Sequence, residues 1–249
     1  HLRERKTRLE AGFVAIDPAS GAVHAWVGAR DHAIDAYDHV QRSRRQPGST
    51  FKPFVYGAAL AAGMDPQREF DTRGVSLRLP DGTLWKPRDM GATPDGRSTL
   101  EDGLVFSRNS VTAQLIGEVG ADKVATLAQR LGVRESPLEA VPSLALGTSP
   151  VSLLEMASAY ASIAAQGEYR APLLVTQVSD ANGKPLMQLA PAPGTPGERV
   201  MDAPVAVQLI ELLRGAVNRG TGQGIRSAWA ITADVAGKTG TTQNNTDGW

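Results

Sequence analysis

The chain has 249 residues, with 26 basic and 26 acidic side chains, four histidines and no cysteine. A composition of 41% hydrophobic and 21% charged residues is that of a globular chain and excludes wholesale disorder. Zero net charge argues against a nucleic-acid binder, and the lack of cysteine removes disulfides, thiol nucleophiles and cysteine-ligated zinc.

Residues 1–10 hold four basic and two acidic side chains and no apolar run, and read as a linker tail ahead of one domain over 11–249. Residues 12–16 and 22–27 are short β-type runs. The turn formers Asp17, Pro18, Ser20 and Gly21 stand between them, which predicts a hairpin. An Arg-rich polar stretch over 30–46 follows. The pattern then turns helical, with Ser49 near the N-cap, Pro53 in the first turn and Gly63 as stop signal. Residues 64–98 are rich in Pro, Gly and Asp and read as loop. Helical periodicity returns over 100–106, 110–119, 122–131, 150–165 and 204–218. Between the last two, 173–179 and 184–189 flank Asn182-Gly183, a hairpin signal, and 191–197 reads as a surface loop. Residues 234–242 lean towards strand. No run approaches the ~20 apolar residues that span a bilayer, and no signal peptide opens the chain. With the character of its two ends, this points to a piece of a longer protein.

Three short signatures stand in order: Ser49-Thr50-Phe51-Lys52, Ser107-Arg108-Asn109 and Lys238-Thr239-Gly240. Each alone is weak. Lys52 taken singly is a solvated helix lysine, and Ser107 and Asn109 are ordinary helix caps. Together they make chemical sense. A serine at a helix N-terminus sits where the dipole and free N–H groups favour developing negative charge. Lys52, one turn on, shares its face and can reach its hydroxyl. A serine hydroxyl needs a base, and a lysine serves as one only when burial or a second cation such as Lys238 makes it partly neutral. Gly240 leaves room for a substrate backbone beside the strand. Thr239, Thr241 and Lys238 suit a carboxylate, and the N–H groups of Ser49 and Thr241 suit an oxyanion hole.

Other patterns carry less. Gly237-Lys238-Thr239 imitates the end of a P-loop, but Thr232 stands where that motif needs glycine and too little chain follows for its helix. Asn244-Asn245-Thr246 fits a glycosylation sequon of no evident consequence. His24, His32 and His39 lack an acidic partner motif, so no metal is expected. Arg42, Arg44 and Arg45 read as a solvated face.

The ordered set resembles that of penicillin-binding proteins and serine β-lactamases. Segments 14–18, 45–56, 143–147, 154–161, 219–222 and 237–242 are similar to the transpeptidase domain of class A, bifunctional penicillin-binding proteins. The resemblance implies an α+β fold with a five-stranded antiparallel sheet flanked by helices, here stopping before the last two strands and the C-terminal helix. It implies that Ser49 attacks the penultimate D-alanine carbonyl of a peptidoglycan stem peptide and that Lys52 is the base. Ser107 would relay a proton to the leaving nitrogen, and Asn109 would bind the donor amide. Lys238, Thr239 and Thr241 would hold the carboxylate, beside Gly240. An amine of a neighbouring stem would resolve the acyl-enzyme, and β-lactams would acylate Ser49 and stay. The resemblance implies no cofactor. It places a glycosyltransferase module and a membrane anchor upstream, outside the cytoplasm and in the periplasm of a Gram-negative cell. Asp38-His39-Val40 stands where many relatives read Asn-Arg-Ala. A β-lactamase or D,D-carboxypeptidase, or an inactive β-lactam sensor, are the rival readings. With the Lys-Thr-Gly strand short of partners, the 249-residue chain alone is expected to be loosely packed and inactive.

Overall fold

The computed structural model describes residues 9–79, 82–91, 93–192, 194–242 and 246–249. The first hairpin forms where the alternating runs predict it. Strands β1 (Phe13–Ile16) and β2 (Val23–Val27) pair antiparallel, with Phe13 opposite Val27 and Ala15 opposite Ala25. Asp17 builds the turn: its carboxylate accepts from the Ala19 N–H and the Ser20 hydroxyl, and its carbonyl from the Gly21 N–H.

A 3-10 turn over Gly48–Phe51 runs directly into α1 (Lys52–Ala61), with Pro53 in its first turn and Gly63 just past its end. Every residue of α1 from Lys52 to Leu60 is buried. A helix apolar on all sides belongs in the middle of a domain, and the other helices are arranged accordingly. α2 (Leu100–Val105), α3 (Asn109–Val119) and α4 (Ala121–Leu131) pack around it. α5 (Leu153–Ala164) lies between α4 and β1, and α6 (Ala203–Asn218) closes the layer over α1 and α2. Phe51, Phe54, Leu104, Leu115, Leu131 and Leu209 fill the space between them. The starts have chemical causes. The Thr99 hydroxyl accepts the Asp102 N–H at 3.1 Å ahead of α2, and Ser152 with Glu155 forms a reciprocal capping box on α5. A one-turn helix, α7 (Gly224–Ser227), follows α6.

The stretch expected to be loop-rich over 64–98 is so, with short strands set into it. It holds β3 (Glu69–Asp71) paired with β6 (Arg97–Thr99), and β4 (Leu77–Arg78) paired with β5 (Leu84–Trp85). Strands of two or three residues are too short to print a period on the sequence. β7 (Glu168–Tyr169) pairs with β10 (Glu198–Arg199), and the second predicted hairpin is β8 (Gln177–Ser179) with β9 (Pro185–Gln188). Leu173, expected in that hairpin, instead bonds the first one: its N–H donates to Gly21 O and its carbonyl accepts the Val23 N–H.

Of the expected larger sheet, the described residues form the β1–β2 hairpin, and every sheet among them is two-stranded. Residues 234–240, read as strand, form none; Thr241 makes a single antiparallel bridge with Gly248. A ladder needs a neighbour presenting alternate N–H and C=O groups. Here helix α6 takes that place, and the Gly237 N–H donates to Leu213 O at 3.2 Å.

Candidate active site

The fold brings the three signatures together from three directions. The 3-10 turn carries Ser49, partly accessible, and Lys52 opens α1 with no exposed surface at all. The Lys52 ammonium nitrogen donates to the Ser107 carbonyl at 2.6 Å, to Ser107 Oγ at 3.1 Å and to Asn109 Oδ1 at 2.6 Å. Ser107 sits in the turn between α2 and α3 with φ of +58°, a region that side chains other than glycine rarely occupy. That conformation lets its carbonyl and its hydroxyl meet the same nitrogen. The structure thereby favours neither of the bland readings: Lys52 is not solvated, and Ser107 and Asn109 bond a side chain instead of capping α3.

Burial pushes the Lys52 ammonium well below the usual lysine range, and the positive charge of Lys238 pushes it further; the Asp89 carboxylate acts the other way. Burial also lowers Lys238, to about 8. Both shifts favour the neutral form of the lysine concerned.

Glycines fix how closely these pieces approach. Gly48 has φ of +55°, and a Cβ on it would stand 2.7 Å from Thr241 O. A Cβ on Gly147 would stand 2.3 Å from Gly48 O, and the Gly48 N–H donates to Gly147 O at 3.4 Å. A Cβ on Gly240 would meet Pro47 O at 2.6 Å and Thr50 Cγ2 at 2.8 Å. Backbone thus stacks on backbone, with the turn that carries Ser49 between residue 147 and residues 240–241. The missing side chain of Gly240 makes room for the turn that carries Ser49. Further ties hold the stack. Arg45 Nε donates to Asp247 at 2.6 Å, the Tyr160 hydroxyl donates to Thr50 O at 2.8 Å, and Thr239 Oγ1 donates to Thr221 Oγ1 at 2.8 Å. Lys238 Nζ donates to its neighbour Thr239 O at 2.9 Å.

Several of these residues escaped the sequence. Tyr160 and Gly147 fall in segments that looked family-like but gave no role. Asp89 lies in a loop without period. Glu155, whose carboxylate accepts from Ser136 and Ser152, was legible as the far end of a Ser-x-x-Glu capping box. Two surface readings change. Arg44 and Arg45 are not simply solvated, since they pair with Glu135 and Asp247. His39 does have acidic company: Nε2 lies 3.0 Å from Asp35, and Glu10 joins them within 4.8 Å. Exposed acids gather like this without any ion, and the pair accounts for the contact. The Asn244 sequon and residues 1–8 of the tail lie outside the described residues.

The chain's relatives are consistent with this arrangement. The penicillin binding protein transpeptidase domain family matches residues 11–248. A penicillin-binding protein 1A of Neisseria meningitidis serogroup A is 34% identical over 245 residues, covering 97% of this chain and 30% of that protein. The Rickettsia conorii protein of the same name is 30% identical, with 97% and 32% covered. The chain thus spans about a third of the length of these curated relatives. The crystal structure of penicillin-binding protein 1A from Haemophilus influenzae superposes with a TM-score of 0.87 at 26% identity, covering 96% of this chain and 41% of that one. PonA1 of Mycobacterium tuberculosis, solved in complex with penicillin V, gives 0.75 at 25% identity, with 98% and 66% covered.

Proposed function

The chain belongs to the penicillin-binding protein transpeptidase domain family, and from that premise we propose that it cross-links peptidoglycan through an acyl-enzyme on Ser49. The observation that carries the reading is the buried Lys52 nitrogen, held between Ser107 and Asn109 at the start of the helix that Ser49 leads into.

The steps follow from these positions. Ser49 Oγ attacks the penultimate D-alanine carbonyl and passes its proton to neutral Lys52. The N–H groups of Ser49 and Thr241 receive the oxyanion. Ser107 relays a proton to the leaving nitrogen, so that free D-alanine departs and the acyl group stays on Ser49. The amine of a second stem then attacks the ester, loses a proton back through the same groups and restores the serine. Asn109 binds the donor amide, and Lys238 and Thr239, with Gly240 and Thr241, hold the terminal carboxylate. A β-lactam is opened by the same attack, but its leaving nitrogen stays tethered to the acyl group, takes up the proton and remains in the site, so that the serine stays blocked.

The domain occupies 11–249, and in the longer protein it works beside a glycosyltransferase module and an anchor on the outer face of the cytoplasmic membrane. No helix among the described residues is long and apolar enough to cross a membrane. Because the Lys238–Thr241 segment has few ties of its own, the chain by itself reacts slowly with penicillin.

The test is peptide mapping by mass after incubation with a penicillin, in a form extended to the length of the relatives. The expected adduct is on Ser49. An adduct elsewhere, or none on folded protein, refutes the proposal. With a stem-peptide donor, a cross-linked product supports transpeptidation, and free acid alone favours the carboxypeptidase or β-lactamase reading.

A further inference from the structure

The loop ahead of β6, and Asp89 in particular, has no part in the steps above, yet it is fastened to the centre of the site. Asp89 Oδ1 accepts the Ser110 N–H at 3.0 Å and Oδ2 accepts the Ser110 hydroxyl at 2.5 Å. One residue back, Arg88 O accepts Asn109 Nδ2 at 2.6 Å. That bond fixes the Asn109 amide so that its oxygen, and not its nitrogen, faces Lys52. Arg108 Nη1 donates to Met90 O and Gly91 O on the same loop. Residues 88–91 therefore grip residues 108–110 in succession. Ser110 is itself buried, so the carboxylate is tied to an immobile partner.

We propose that Asp89 is a positioning residue for acylation: clamped on Ser110, it seats this loop on the Ser107–Asn109 turn that holds Lys52 and brings a negative charge to that lysine's surroundings. The inference rests on the proposed Ser49 acyl-enzyme. Two consequences separate it from a plain helix cap. Geometrically, the clamp holds Asn109 Oδ1 where Lys52 needs an acceptor. Electrostatically, the carboxylate favours the protonated form of Lys52, against burial and Lys238. The other charged or titratable groups that meet here are Tyr56 on α1, Arg108 in the turn and Lys238 on the C-terminal segment. Burial, with Asp89 nearby, keeps the Tyr56 phenol neutral. That leaves Asp89 as the acidic group among those facing Lys52.

The sign follows. Loss of the carboxylate charge favours neutral Lys52, so the acid limb of the acylation profile moves to lower pH. Asp89→Asn keeps the clamp, since its amide oxygen accepts the Ser110 N–H and its nitrogen donates to the hydroxyl. A unit charge several ångströms away in a partly wet site is worth about half to one pH unit.

The experiment measures the second-order rate of penicillin labelling from pH 5 to 10 in the extended protein. Asp89→Asn is expected to shift the acid limb down by that amount. Asp89→Ala shifts it equally and also lowers the plateau several-fold, because the clamp is lost. Asp89→Glu, which keeps the charge, returns the limb towards that of the parent. Ser110→Ala loses one clamp bond and lowers the plateau with the limb in place. If the limb of Asp89→Asn coincides with the parent's, the charge has no role and the inference falls. If Asp89→Asn does not fold, a Ser110→Ala limb that moves overturns the inference, and one that stays supports it. A parent protein that folds but is never labelled at Ser49 refutes the reading beneath it, an outcome distinct from labelling with an unchanged profile.

Discussion

The two sides of the site are built differently. Lys52 and Asn109 open α1 and α3, and Ser49 and Ser107 stand in the turns that lead into them, against a helix α1 whose residues from Lys52 to Leu60 are all buried. Lys238, Thr239, Gly240 and Thr241 stand on a segment that forms no strand, tied by single bonds to Leu213 and Thr221 and by a reciprocal backbone pair between Gly240 and Trp249. The helical side gains its geometry from the core, since displacing Lys52 means displacing α1. The other side gains its geometry by leaning on the first, through glycines that admit backbone contact. In the proposed mechanism the base, which must be fixed, falls on the rigid side, and the capture of a carboxylate, which tolerates adjustment, falls on the lightly tied one.

The largest expected effect breaks the rigid side at its base. Lys52→Arg keeps the charge, but a guanidinium is never deprotonated in a protein and cannot take the serine proton. Loss of a general base costs about 10²–10⁴-fold, and labelling by penicillin should fall accordingly in a variant whose melting curve stays cooperative. A rate within a few-fold of the parent would remove Lys52 from the role of base.

The next effect strikes the contact between the sides. Gly48→Ala places a methyl 2.7 Å from Thr241 O at φ of +55°. The chain must shift by the better part of an ångström. Such a misplacement is worth about 10²-fold in rate, against a backbone cost of about 1–2 kcal/mol. Tenfold is about 1.4 kcal/mol, so labelling should suffer more than stability by about 1 kcal/mol. Equal losses would mean that the stack supports the fold and not the alignment.

A pH profile sharpens the comparison further. Lys238 sits at about 8, so above that pH the carboxylate-binding cation disappears, about tenfold per unit. Lys52 works in the opposite sense, since it must lose its proton before it can accept one. Labelling should rise through the lowered range of Lys52 and fall above pH 8, giving a bell. In Lys238→Arg the alkaline fall should vanish, because arginine keeps its charge. An alkaline limb that survives this change belongs to another group.

The same division explains what could be read beforehand. The helices and the first hairpin follow from spacing along one element, and spacing is written in the sequence. The cation near Lys52 was also within reach, because Lys238 belongs to a motif whose chemistry asks for it. What could not be read are the contacts between elements. Ser107 offers both carbonyl and hydroxyl to one nitrogen only because its φ is positive. Gly147 touches Gly48, 99 positions away in the chain, through bare backbone. The strand expected over 234–240 was the reverse case. Its composition is β-leaning, but a strand is a property of a pair, and among the described residues only its end finds one, where Gly240 exchanges backbone hydrogen bonds with Trp249.

The smallest expected effect tests whether the turn depends on its outer support. The Tyr160 hydroxyl donates to Thr50 O at 2.8 Å, and its ring stands edge-on to Phe54 at 6.5 Å. Tyr160→Phe keeps the ring and removes one hydrogen bond, worth about 1 kcal/mol; in a domain of this size that is a fall of about 2–4 °C in Tm. The turn has its own fastenings, since the Thr50 hydroxyl and N–H both donate to Pro47 O, at 2.7 and 3.2 Å. Gly147 and Thr241 still bracket Gly48 from outside. Labelling should therefore stay within about twofold while the melting point drops, the order of effect left when a bond lies outside the reacting geometry. A tenfold loss of labelling with no change in Tm would reverse the assignment, and would make Tyr160, not the glycine stack, the support that aims Ser49.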